Sequence, residues 1–96
     1  MTVLEHVRSQ RNEILRLAAN RGAYNVRIFG SVARGEMGAD SDVDFLVEME
    51  SNRSLLDVGG LLMDLQNLLK CEVDVVTENA LHWYIRDRIL WEAQPL

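Results

Sequence analysis

A chain of 96 residues has room for one hydrophobic core, so residues 1–96 are expected to form a single domain. Fifteen Asp and Glu against ten Lys and Arg give a net charge of −5, a field that works against gripping nucleic-acid phosphates. No apolar run approaches the ~18 residues of a membrane span, the opening Met1-Thr2-Val3-Leu4-Glu5-His6 carries no secretory pattern, and the single cysteine, Cys71, has no partner for a disulfide or a zinc knuckle. These readings lead us to expect a cytoplasmic protein with a buried, inert thiol.

Val3, Leu4, Val7, Ile14, Leu15 and Ala18 recur at three- and four-residue spacings among charged residues, which predicts an amphipathic first helix. Asn20-Arg21-Gly22 ends it, and Tyr24–Phe29 alternates like a strand. Gly30-Ser31 stops that strand, and Ser31-Val32-Ala33-Arg34 reads as a short helix capped by Ser31 and broken at Gly35 and Gly38. After Asp40-Ser41, the stretch Asp42-Val43-Asp44-Phe45-Leu46-Val47 puts apolar residues at odd positions and two aspartates at even ones, so one strand face serves the core and the other chemistry. Ser54 with Asp57 three residues on makes a short-armed capping box, followed by Leu55, Val58, Leu62, Leu65 and Leu69 at helical spacing. Inside that helix Gly59-Gly60 costs about 1 kcal/mol per glycine, so either the helix is weak there or something packs against its backbone. Glu72–Thr77 is a third strand by its β-branched content, and Leu81–Glu92 a last helix. The order α-β-α-β-α-β-α describes an α/β (α+β) fold, a small sheet flanked by helices.

The chemistry concentrates on a few residues. Asp42 and Asp44, two apart in a strand, project from one face and repel each other unless a cation neutralises them. Carboxylates without Cys or paired His suit Mg²⁺ or Mn²⁺, and Mg²⁺ is commonly shared with substrate phosphate. Gly30 lets a ligand approach the backbone and Ser31 adds a hydroxyl, together a candidate phosphate cradle. Asp74, between inward-pointing Val73 and Val75, would join the pair if its strand is a neighbour, and three carboxylates with two divalent ions make a phosphoryl-transfer site. Arg34 either donates to phosphate or pairs with Glu36 or Asp40 at the surface. His6 and His82 read as solvated helix-surface residues. In the last helix Leu81, Ile85 and Ile89 mark one face while Trp83 and Leu90 lie almost opposite, so the second face is either covered by the chain's own termini or docks a partner protein.

The spacing Gly30-Ser31, ten residues, Asp42-Val43-Asp44 resembles the nucleotidyltransferase signature of the polymerase β superfamily. The fuller string, with Val73-Asp74-Val75-Val76 and Ile89-Leu90-Trp91-Glu92-Ala93, is similar to its smallest branch, the minimal nucleotidyltransferases, over nearly the whole chain. That resemblance implies a mixed sheet flanked by helices, with Gly30 and Ser31 holding the triphosphate of ATP. It implies that Asp42 and Asp44 ligate two Mg²⁺, while Asp74 completes the metal site and helps deprotonate the attacking hydroxyl. It further implies an antitoxin that forms a hetero-oligomer with a HEPN-type ribonuclease toxin and transfers AMP to one of its tyrosines. The alternatives are an antitoxin that neutralises by occupancy alone, or a nucleotidyltransferase acting on a small molecule or RNA; the short chain leaves little for a separate acceptor-reading domain.

Overall fold

Thr2 opens the first helix, α1 (Val3–Ser9), with a reciprocal box: its hydroxyl accepts from the Glu5 N–H at 3.0 Å, and the Glu5 carboxylate accepts from the Thr2 N–H at 3.4 Å. The computed structural model describes residues 2–36 and 42–96; the expected break at Gly38 and the Asp40-Ser41 lead-in lie outside the described residues. The expected single first helix is two helices. At the end of α1 the Ser9 hydroxyl donates to the His6 carbonyl at 2.6 Å and the Gln10 N–H turns to Val7, so the backbone leaves the helix before α2 (Arg11–Asn20) begins.

Then follow β1 (Ala23–Phe29), the single-turn α3 (Gly30–Ala33), β2 (Val43–Met49), α4 (Leu55–Leu69), β3 (Val73–Thr77), a 3-10 turn at Glu78–Ala80, α5 (Trp83–Glu92) and β4 (Gln94–Pro95). The sheet is mixed, in the order β3-β2-β1-β4, with β2 and β3 parallel and the other neighbours antiparallel. The fourth strand was not legible because it is two residues long and contains a proline, which only a sheet edge tolerates. It is pinned by Leu96, whose N–H donates to Val26 at 3.2 Å and whose side chain is buried. Strand β1 holds one extra residue between Tyr24 and Arg27, where Asn25 takes φ 50° and its amide donates to Glu48 at 2.8 Å.

The core lies on one face of the sheet. Val26, Ile28, Val43, Phe45, Val47, Val73 and Val75 meet Val7, Ile14 and Ala18 from α1 and α2 and Leu61, Leu65 and Leu69 from α4. The other face is not wholly given to chemistry, as Leu46 is fully buried there beside Arg27, its neighbour in β1. Arg27 pairs with Glu78, which also takes Arg86 of α5. His6, expected in solvent, is half-buried, with Nε2 3.3 Å from the last-turn carbonyl of Leu69 in α4. Cys71, expected to be buried, is half-buried against the core, and burial followed by the charges of Asp42 and Glu72 pushes its thiol up. Among the described residues no helix is long and apolar enough to cross a membrane.

The Gly59-Gly60 question is answered by Arg21. A side chain on Gly60 would come within 2.5 Å of the Arg21 guanidinium, which lies over the α4 backbone to reach Asp64 at 3.0 Å, whereas Gly59 faces open space. Gly59→Ala is therefore expected to stabilise the fold by about 0.5–1 kcal/mol, and Gly60→Ala by less because Arg21 must move. Denaturant unfolding of both variants checks this, and an equal gain in each would refute the packing role of Arg21.

Candidate active site

The parallel register sets Val43 beside Val73, Asp44 beside Asp74 and Phe45 beside Val75. Because side chains alternate, burying the valines and Phe45 on one face leaves Asp44 and Asp74 next to each other on the other. Asp42 precedes β2 by one residue and is exposed, as is Asp74, while Asp44 is half-buried. Across β1, Asp44 lies opposite Phe29, the last residue before the turn at Gly30.

That turn is pressed against the acid. Gly30 has φ +75°, and a Cβ built there would fall 2.2 Å from Asp44 Oδ2, so this position excludes any side chain on two grounds. Ser31 does not cap α3. The helix begins one residue earlier, and its N-cap, Phe29, has no side-chain oxygen, so Ser31 sits in the first turn with its hydroxyl uncommitted to capping.

The Asp44 carboxyl is pushed up to about 6, chiefly by burial, then by the charges of Asp74 and Asp42, with Arg34 pulling the other way. The three expected aspartates thus act on one another. Among the described residues no group of three His, Cys, Asp or Glu side chains is arranged to hold a metal ion without other ligands.

Arg34 forms the surface pairing foreseen with Glu36, at 3.1 Å, and also pairs with Glu92 at the end of α5; Asp40 lies outside the described residues. Glu92 in turn accepts from the Gly30 N–H at 3.2 Å. Arg34 holds the Glu92 carboxyl below its usual range, helped by that backbone bond and opposed by burial. Sequence reading gave Glu92 no part in the site. The signal was there, because an acid in the last turn of a helix opposes the helix dipole and needs partners elsewhere.

His82 is exposed and lies against Tyr84, with ring centroids 4.3 Å apart, and joins no part of the site. Leu81 precedes α5 instead of lying in it. The apolar residues of α5 are unevenly covered, with Trp83 80% and Trp91 91% exposed while Ile89 and Leu90 are half-buried. A cavity of about 520 Å³ lies at the other end of the sheet, between Tyr24, Met49, Ser54 and Thr77, and its Arg53, Glu78 and Arg86 are already paired with one another's neighbours or each other. It takes no part in the acidic site.

The sequence profile described as a nucleotidyltransferase domain matches residues 7–96. The chain belongs to the nucleotidyltransferase domain family. A solved structure described provisionally as a minimal nucleotidyltransferase is similar over 100% of this chain and 97% of its own, with 48% identity and a TM-score of 0.89. A relative in Methanocaldococcus jannaschii, provisionally named a protein adenylyltransferase, is 42% identical over 83 residues, which are 86% of this chain and 89% of the relative. At 17% identity and a TM-score of 0.69, over 92% of this chain and 69% of the other, the fold is shared with a structure of a tri-AMPylated HEPN toxin of Shewanella oneidensis in complex with MNT antitoxin.

Two predictions follow from the contact between the glycine turn and Asp44. Gly30→Ala is expected to lose about 1–3 kcal/mol of stability, read by denaturant unfolding, because of its φ and the clash. The second concerns pH. A carboxyl whose folded pKa lies near 6 against ~3.9 unfolded binds its proton more tightly when folded, so its contribution is complete below about pH 4 and lost as pH rises through 6. In chelator-treated buffer Asp44→Asn should therefore exceed the parent chain in stability above about pH 7, by up to ~1 kcal/mol after solvent screening. The difference should close towards pH 4, and a pH-independent difference would exclude charge as its cause.

Proposed function

We propose that this nucleotidyltransferase moves AMP from ATP, with Mg²⁺, to a hydroxyl of a partner protein, a tyrosine of a HEPN-type ribonuclease toxin, and so acts in the cytoplasm as its antitoxin within a hetero-oligomer. The observation that carries the reading is the Asp44–Asp74 pair held in register on one sheet face, with the Gly30 backbone against Asp44. The donor set suits the metal: carboxylate oxygens are hard ligands, and the Asp44 carboxyl, pushed up by burial and then by the charges of Asp74 and Asp42, is one whose ionised form a cation would favour. Asp42, Asp44 and Asp74 would hold two Mg²⁺, with phosphate oxygens and water filling the remaining positions. When bound, such ions neutralise the polyphosphate and stabilise charge on the attacking and leaving oxygens.

The chain's own residues supply the rest. Gly30 and Ser31 bind the triphosphate through the backbone N–H and the hydroxyl, and Arg34 adds a charged donor. Asp74, exposed on the outer strand, accepts the proton of the incoming hydroxyl. The hydroxyl oxygen bonds to the α-phosphorus, the bond from that phosphorus to the bridging oxygen breaks, and pyrophosphate leaves with the electron pair. The exposed Trp83 and Trp91 of α5 suit docking of the partner that presents the hydroxyl. The name of the Methanocaldococcus jannaschii relative and the AMP-modified toxin of the Shewanella oneidensis complex support this choice of acceptor.

The test is transfer of label from ATP carrying ³²P at the α- or the γ-position to the co-expressed partner toxin. Label is expected to pass from the α-position only, to need Mg²⁺, and to fall at least about 100-fold in Asp42→Asn and Asp44→Asn while both remain folded. Transfer from the γ-position, or undiminished transfer in either variant, would overturn the reading.

A further inference from the structure

Glu92 ends α5 where a carboxylate faces the negative end of the helix. Its side chain is nevertheless drawn inward, 17% exposed beside the fully solvated Trp91. Two contacts hold it there, the Gly30 N–H at 3.2 Å and the Arg34 guanidinium. These are two of the donors that the proposed function gives to the triphosphate, so a carboxylate already sits where phosphate oxygens are to go.

The backbone around Glu92 is fixed independently of that carboxylate. The Ala93 N–H donates to Ile89 at 2.9 Å, the Gln94 amide to the Ala33 carbonyl at 3.1 Å, and the Leu96 N–H to Val26 at 3.2 Å. Removing the carboxylate from its donors therefore needs rotation of one side chain and no rearrangement of the sheet. Leaving it in place beside a bound polyphosphate would add a fourth acid to Asp42, Asp44 and Asp74, and its charge already reaches Asp44.

We infer that Glu92 is a built-in competitor for substrate phosphate: its carboxylate masks the Gly30 N–H and Arg34, and binding of a polyphosphate requires it to swing aside. The inference rests on the reading of Gly30 and Arg34 as phosphate donors. The mask raises the threshold for nucleotide, since a ligand must supply more charge than one carboxylate to displace it, as a magnesium polyphosphate does. A residue that merely braced the turn would act in the opposite direction, and its loss would weaken binding.

Calorimetric titration of the full chain with ATP and, separately, inorganic tripolyphosphate, each with Mg²⁺, distinguishes the two. Glu92→Gln keeps the shape and an acceptor for Gly30 while losing the charge, and is expected to bind both probes about tenfold more tightly, the size of one charge-assisted hydrogen bond. In an Arg34→Gln background the same change should give at most a small gain. Glu92→Asp, one methylene too short to span both donors, provides a second charged variant expected between the parent and Glu92→Gln. Affinity that is unchanged or weaker in Glu92→Gln, with the parent chain binding normally, overturns the mask and leaves the nucleotide reading intact. If neither the parent nor any variant binds either probe, the nucleotide reading fails and the mask with it.

Discussion

Two carboxylates placed side by side on a sheet repel, and the apolar side of the same ladder holds them there. Val43 against Val73 and Phe45 against Val75 are all buried, each contributing on the order of 1.5–3 kcal/mol, which outweighs the repulsion of Asp44 and Asp74 across a partly solvated surface. A slip of β3 by one residue against β2 would turn Asp74 toward the core and Val73 and Val75 toward water. The hydrophobic core therefore enforces the chemical site, and the acids owe their closeness to residues that never touch a ligand.

The turn at Gly30 is held from two directions. Asp44 leaves no room for a side chain on it, and Glu92 accepts from its N–H, so the end of β1, the start of β2 and the end of α5 meet at one residue without a Cβ. Segments 62 residues apart in sequence are joined there. The short β4 makes this possible, because its pairing with Arg27 and Ile28 returns the chain after α5 to the strand that ends at Phe29, next to Gly30.

Most of the frame was legible from the sequence because its signals are local. The strand alternation of Val43 to Val47, the Ser54–Asp57 box and the stop at Gly22 each work within a few residues, and each appears in the fold. The aspartates and the glycine were legible because charge repulsion and backbone freedom are properties of the residues themselves. What escaped depends on distant partners. The break at Gln10 turns on one serine hydroxyl, Leu46 is buried by a face the alternation marked as polar, and His6 finds its carbonyl 63 residues away. Glu92 belongs to the same class, since nothing next to it in sequence points to Arg34.

The extra residue in β1 reads as a change of phase. Ala23 and Val26 are both buried though three apart, which a strict two-residue alternation forbids, and Asn25 absorbs the odd step by turning its backbone left-handed. Upstream of that point the strand keeps time with Met49 and Glu48, and downstream with Leu46, Phe45 and Asp44. Loss of that single residue would set Ala23, Val26 and Ile28 at two-residue spacing, so the ladder would become uniform with the apolar side of both halves still turned inward. For this chain Asn25 is thus the place in β1 where a one-residue deletion is absorbed most readily, at the expense of its bond to Glu48.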